Sequence, residues 1–115
     1  MRRAVMAHPE GTVQVVVRGH HFEASGELLE YARKHVEKLG RYFEGLRRLE
    51  LVLKQDGRAG FQAELVAHAV RGKHLVAEGS SVEAMTMAID TAVDRMERQL
   101  VRFKERLRDH RSHGT

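Results

Sequence analysis

A chain of 115 residues, 42% hydrophobic and 31% charged, has room for one modest core and is too apolar to remain disordered. It has no cysteine, which excludes disulfides and thiolate metal sites, and no apolar run approaches the ~20 residues of a membrane span. Its formal charge is +4, which suits a polyanionic partner, either nucleic acid or an anionic membrane surface, unless it reflects only a slightly basic solvated face.

Residues 1–12 carry the single proline and no periodicity, and are expected to be a flexible N-terminal tail. Met1-Arg2-Arg3 is basic, but His8, Pro9 and Glu10 fall where a secretory signal needs an apolar block, so a cytoplasmic location is expected. Thr12 to Arg18, with Val13, Val15, Val16 and Val17, reads as a strand ended by Gly19. Ser25 is placed to cap a helix whose apolar face is Leu28, Ala32, Val36, Leu39 and Phe43, with Gly45 as its stop. Leu49, Leu51 and Leu53 alternate with Glu50, Val52 and Lys54 in a half-buried strand, and Asp56-Gly57 marks a turn. A second alternating run from Phe61 to Ala69 follows, Arg71-Gly72 turns the chain, and Lys73 to Glu78 returns as a hairpin partner. The last helix is expected after Ser80, whose spacing to Glu83 fits a capping box. Its stripe is Val82, Met85, Ile89, Val93, Met96, Leu100, Phe103 and Leu107, about seven turns, and fraying is expected after Asp109.

The order β-α-β-β-β-α predicts an α+β two-layer sandwich, a four-stranded mixed sheet with two helices packed on one face. The first two strands are joined through a helix and are expected to be parallel. One domain over 13–109 and a short tail at 110–115 complete the layout.

The last helix carries the informative charge pattern. At ~100° per residue, Arg95, Arg98, Arg102 and Arg106 fall within a sector of roughly 80°, and Glu83, Asp90, Asp94, Glu97 and Glu105 gather in another. An ordinary solvated helix intersperses its signs, since i,i+4 opposite pairs stabilise it slightly. Four arginines at these spacings repel by a few tenths of a kcal/mol per pair, a cost that an anionic partner offsets. The planar guanidinium also binds phosphate bidentately. Lys34, Lys38 and Arg41 add a basic row on one flank of the first helix, and two helices side by side would let both rows border one groove.

Several segments resemble the ribosome hibernation promoting factor family, which includes the ribosome-associated inhibitor called protein Y. They are Gly19-His20-His21-Phe22-Glu23-Ala24-Ser25, Val36-Glu37-Lys38-Leu39-Gly40-Arg41-Tyr42-Phe43, Ala77-Glu78-Gly79, Met85-Thr86-Met87-Ala88-Ile89-Asp90 and Asp94-Arg95-Met96-Glu97-Arg98-Gln99-Leu100. The likeness spans about residues 13–108, and the last of these stretches is its most specific part. It implies the β-α-β-β-β-α fold already expected. It also implies binding to the small ribosomal subunit and its 16S rRNA at the decoding centre, over the paths of messenger and transfer RNA, so that idle ribosomes are silenced. The positions implied to face RNA are Lys34, Lys38, Arg41, Arg95, Arg98, Arg102 and Arg106. Two departures stand out: Ala84-Met85-Thr86 where the family often has Asp-Met-Tyr, and Ser25 where a threonine cap is usual. The likeness is to the short form, without a ribosome-pairing domain, so that dimerisation would need a separate partner.

Other chemistry is not expected. His20 and His21 would point to opposite faces of a strand and lack the i,i+4 spacing of a helical zinc pair, so neither metal nor other cofactor is expected. His68 and His74 are placed to face each other across a hairpin. No phosphate loop, nucleophile elbow or catalytic carboxylate pair appears, so neither an enzyme nor a small-molecule substrate is expected. Two alternatives remain open: a general double-stranded RNA-binding module, and a protein-interaction module that docks through the last helix.

Overall fold

The computed structural model describes residues 4–7, 13–41, 43–58 and 60–113, with side chains between 13 and 108. The elements are β1 (Ala4–Ala7), β2 (Gln14–His20), α1 (Gly26–Glu37), β3 (Leu46–Asp56), β4 (Gly60–Ala69), β5 (His74–Ser81) and α2 (Met85–His113). The strands form one sheet in the order β1-β2-β3-β4-β5, with β2 and β3 parallel and the other neighbouring pairs antiparallel.

Period-two alternation explains which face of the sheet is covered. Val15 and Val17 of β2, Leu49, Leu51 and Leu53 of β3, Leu65 and Ala67 of β4 and Ala77 of β5 are all buried in one core. Ala32 and Val36 of α1 and Ala88, Ile89, Ala92, Met96 and Leu100 of α2 close that core from the same side. This is the α+β two-layer arrangement that periodicity predicts, with α1 as the crossover between the parallel strands. Phe103 extends the core to a further turn of α2 by meeting Phe43 edge-on, ring centroids 5.3 Å apart. The late part of the apolar stripe is therefore covered within the fold rather than left free for a docking partner.

The strand count differs from the expected four. Ala4–Ala7, inside the stretch read as a loose tail, pairs antiparallel with β2 as an edge strand. Four apolar residues are too few to establish a period, so pairing supplied by β2 decides the matter. Residues 1–3, 8–12, 114 and 115 lie outside the described part.

Other boundaries shift for local reasons. Gly19 does not end β2, because it pairs in register with Leu53 and the strand runs to His20. α1 begins where expected, with the Ser25 hydroxyl accepting from the Leu28 N–H at 3.1 Å. It ends at Glu37 and tightens into a 3₁₀ turn over Lys38–Arg41, well before Gly45. The serine that receives the start of α2 is Ser81, not Ser80: its hydroxyl accepts from the N–H groups of Glu83 and Ala84. Val82, which falls on the expected stripe, precedes the helix and is 78% exposed. At its other end α2 continues past Asp109 to His113.

α2 crosses β5 at Gly79. A Cβ there would lie 2.1 Å from the Ala88 carbonyl oxygen and 2.7 Å from the Ala92 nitrogen, so the helix approaches this closely only over glycine. Among the described residues no helix is long and apolar enough to cross a membrane.

Candidate nucleic-acid interface

The core-facing stripe of α2 leaves the helix two flanks, and different neighbours hold them. On one flank Asp90 meets α1: the Tyr31 hydroxyl donates to Asp90 Oδ1 at 2.7 Å. His35 stacks on the Tyr31 ring at 4.1 Å, and its Nε2 lies 3.7 Å from the same carboxylate oxygen. The hydrogen bond to Asp90, helped by burial and the carboxylate's charge, pushes the Tyr31 phenol up to about 12. On the other flank, Arg95 Nη1 donates to the Glu78 carbonyl at 2.8 Å and Gln99 Nε2 to the Val76 carbonyl at 2.7 Å. Both carbonyls belong to the edge strand β5, whose unpaired backbone α2 thus helps to satisfy.

This arrangement settles where the seven expected contact residues sit. Lys34 lies on α1 and Lys38 and Arg41 on the turn after it, all exposed and without a described ion-pair partner. Arg95, Arg98, Arg102 and Arg106 are exposed on α2. α2 turns Asp90 toward α1, into the helix–helix seam with Tyr31 and His35, and turns Arg95 the other way, toward β5. The signs are not wholly segregated, because Arg98 Nη2 pairs with Asp94 Oδ2 at 3.0 Å, both more than half exposed. Arg102 and Arg106 have no described counter-ion.

Sequence reasoning missed Tyr31, His35 and Gln99, and placed Asp90 in the acidic sector of the last helix without assigning it a partner. Helical spacing reports which residues share a face, but not which foreign element that face meets. It also missed a cluster on the helix-free sheet face. His68 and His74 are register partners, their rings edge-to-face at 4.6 Å as expected, and His68 Nε2 also lies 3.0 Å from Glu50 Oε1. That hydrogen bond, aided by the charges of Arg48, His68 and Arg18, holds the Glu50 carboxyl below its ordinary value despite partial burial. His20 and His21 are exposed, with rings 4.3 Å apart, and His21 takes a left-handed φ of 52°. Among the described residues no group of three or more His, Asp or Glu converges in a way that could hold a metal ion.

Residues 15–108 match the family described as sigma 54 modulation protein / S30EA ribosomal protein. The chain belongs to this family. Over 99 residues it is 32% identical to the ribosome hibernation promoting factor of Salmonella typhimurium, covering 85% of this chain and all of that relative. The crystal structure of the Protein Y N-terminal domain from Thermus thermophilus superposes with a TM-score of 0.65 at 31% identity, over 76% of this chain and 93% of that one. A ribosomal subunit interface protein from Coxiella burnetii shares the fold, at TM-score 0.70 and 15% identity, over 79% of this chain and 97% of that one. The S30EA match begins after β1, so the added edge strand lies outside it.

Proposed function

We propose that this chain is a cytoplasmic ribosome hibernation factor. Its domain, residues 13–109, binds the small ribosomal subunit near the decoding centre through basic helix surfaces. There it blocks messenger and transfer RNA and inhibits translation in idle or stressed cells. The contacts to 16S rRNA are Lys34, Lys38 and Arg41 on one side of the helix–helix seam and Arg95, Arg98, Arg102 and Arg106 on the other. The role is one of occupancy and requires neither catalysis nor a cofactor.

The observation that carries this reading is the exposed cationic flank of α2, where Arg102 and Arg106 face solvent without a described counter-ion. An isolated helix gains from i,i+4 pairing, so unpaired arginines two turns in a row suit phosphate, which their planar forks bind in pairs of hydrogen bonds. The names of the S30EA relatives supply the ribosome as the source of that phosphate. Basic side chains on both helices suit a surface of folded RNA that presents backbone on both sides of the seam.

Replacing Arg98, Arg102 and Arg106 together by glutamate is expected to abolish co-sedimentation with small subunits while leaving the circular dichroism spectrum intact. Arg95 is left out of this variant because its guanidinium also satisfies β5. Undiminished co-sedimentation would overturn the reading. A footprint of the decoding region with and without transfer RNA then tests the site, with mutual exclusion expected.

A further inference from the structure

The cationic flank of α2 and the helix-free face of the sheet meet at the β5 edge. Strand register sets Lys54, Gln62 and Ser80 side by side across β3, β4 and β5, and Arg95 comes over the edge from α2 to the Glu78 carbonyl. A shallow cavity of about 170 Å³ lies at this join, lined by Lys54, Gln62, Glu64, Glu78, Ser80 and Arg95. That volume is below the roughly 300–1,000 Å³ typical of small-molecule sites, so it suits one group presented by a larger ligand rather than a free cofactor.

The lining identifies the group. Arg95 and Lys54 bring positive charge to the site. The Gln62 amide and Ser80 hydroxyl both donate and accept, whereas the carboxylates of Glu64 and Glu78 only accept. Lys54 Nζ stands 3.9 Å from Glu64 Oε1, a long contact between partly exposed groups that competes weakly with a ligand. No described side chain donates to the Glu78 carboxylate. Two carboxylates repel a phosphate, yet they accept readily from ring N–H and amino groups. Guanine carries such donors side by side on one edge, while uracil offers a single ring N–H flanked by two carbonyls.

We infer that this cavity takes a guanine base from RNA whose phosphates lie along the arginines of α2. The inference rests on the RNA-binding reading above and adds a base preference to it. Arg95 stands at the join, its position fixed by the bond to the edge strand. From there its charge faces the backbone while the base enters between Gln62, Glu64 and Glu78.

The test compares a short single-stranded uridine tract with the same tract carrying one central guanine, read by fluorescence anisotropy at low salt. The guanine tract is expected to bind more tightly by roughly fivefold or more, the scale of one good paired base contact. In the double variant Glu64→Gln, Glu78→Gln this preference is expected to vanish, with binding of the plain tract unchanged or tighter. No preference in the parent chain, or a preference that survives the double variant, overturns the inference. The two readings fail separately. If both tracts bind equally, and Arg98→Glu with Arg102→Glu weakens both, only the base site falls. If neither tract binds and small-subunit co-sedimentation is also absent, the RNA reading falls with it.

Discussion

A phenol that donates to a carboxylate is held in its neutral form, and Tyr31 is in that position between the helices. Its raised value means the stabilisation is fully present below the ordinary 10.0 and is lost as pH rises through about 12. Tyr31→Phe is expected to lower stability at neutral pH by about 1 kcal/mol, the usual worth of such a bond, in a denaturant titration. In a Tyr42→Phe background Tyr31 is the only phenol in the chain. There, Asp90→Asn should bring its ultraviolet titration back toward 10.0; an unmoved titration would remove Asp90 as the cause. Glu50 works in the opposite direction. Its depressed value gives stability that is present above the ordinary 4.5 and is lost as pH falls below it. Glu50→Gln should therefore flatten the fall in denaturation midpoint as the pH drops below the ordinary 4.5. A parallel, undiminished fall would place the acid sensitivity elsewhere.

Between elements, the fit of α2 over β5 depends on one missing side chain. Gly79→Ala sets a methyl group against the Ala88 carbonyl and the Ala92 nitrogen. Backbone atoms cannot rotate away as a side chain tip would, so a loss of 1–3 kcal/mol or more is expected in thermal or chemical unfolding. Gly57 in the β3–β4 turn, where nothing lies within 4 Å of a built Cβ, is the matched control and should change little on substitution by alanine. The sequence announces this crossing poorly, since a glycine near the end of a strand reads equally as punctuation. Long periodic stretches were legible: the alternation of β3 and β4 and the stripe of α2 from Met85 to Phe103 each point to one buried face. What was not legible depends on a partner from elsewhere in the chain. β1 exists through pairing with β2, Gly19 stays in a strand through Leu53, and Ser81 rather than Ser80 receives the helix because β5 runs on to Ser81, beyond its expected end at Glu78.

For the molecule as a whole, the same division separates the readable from the unreadable part of the interface. The clustering of four arginines on one sector of α2 follows from helical spacing alone. Their inequality does not, because it comes from β5, which engages Arg95, and from the rotamers that bring Arg98 to Asp94. This inequality has a thermodynamic signature. If the flank lies on RNA backbone, the logarithm of affinity falls linearly with the logarithm of salt concentration, and each phosphate contact removed lowers the slope by roughly 0.7–0.9. Arg102→Ala and Arg106→Ala should each remove about one such contact in a filter-binding titration against small subunits. Arg98→Ala should remove less, because Asp94 already neutralises part of its charge. Asp94→Ala should for the same reason tighten binding and steepen the slope. Should all four variants keep the parent slope, the arginines of α2 are not on phosphate, and the positive flank must be assigned to a protein surface instead.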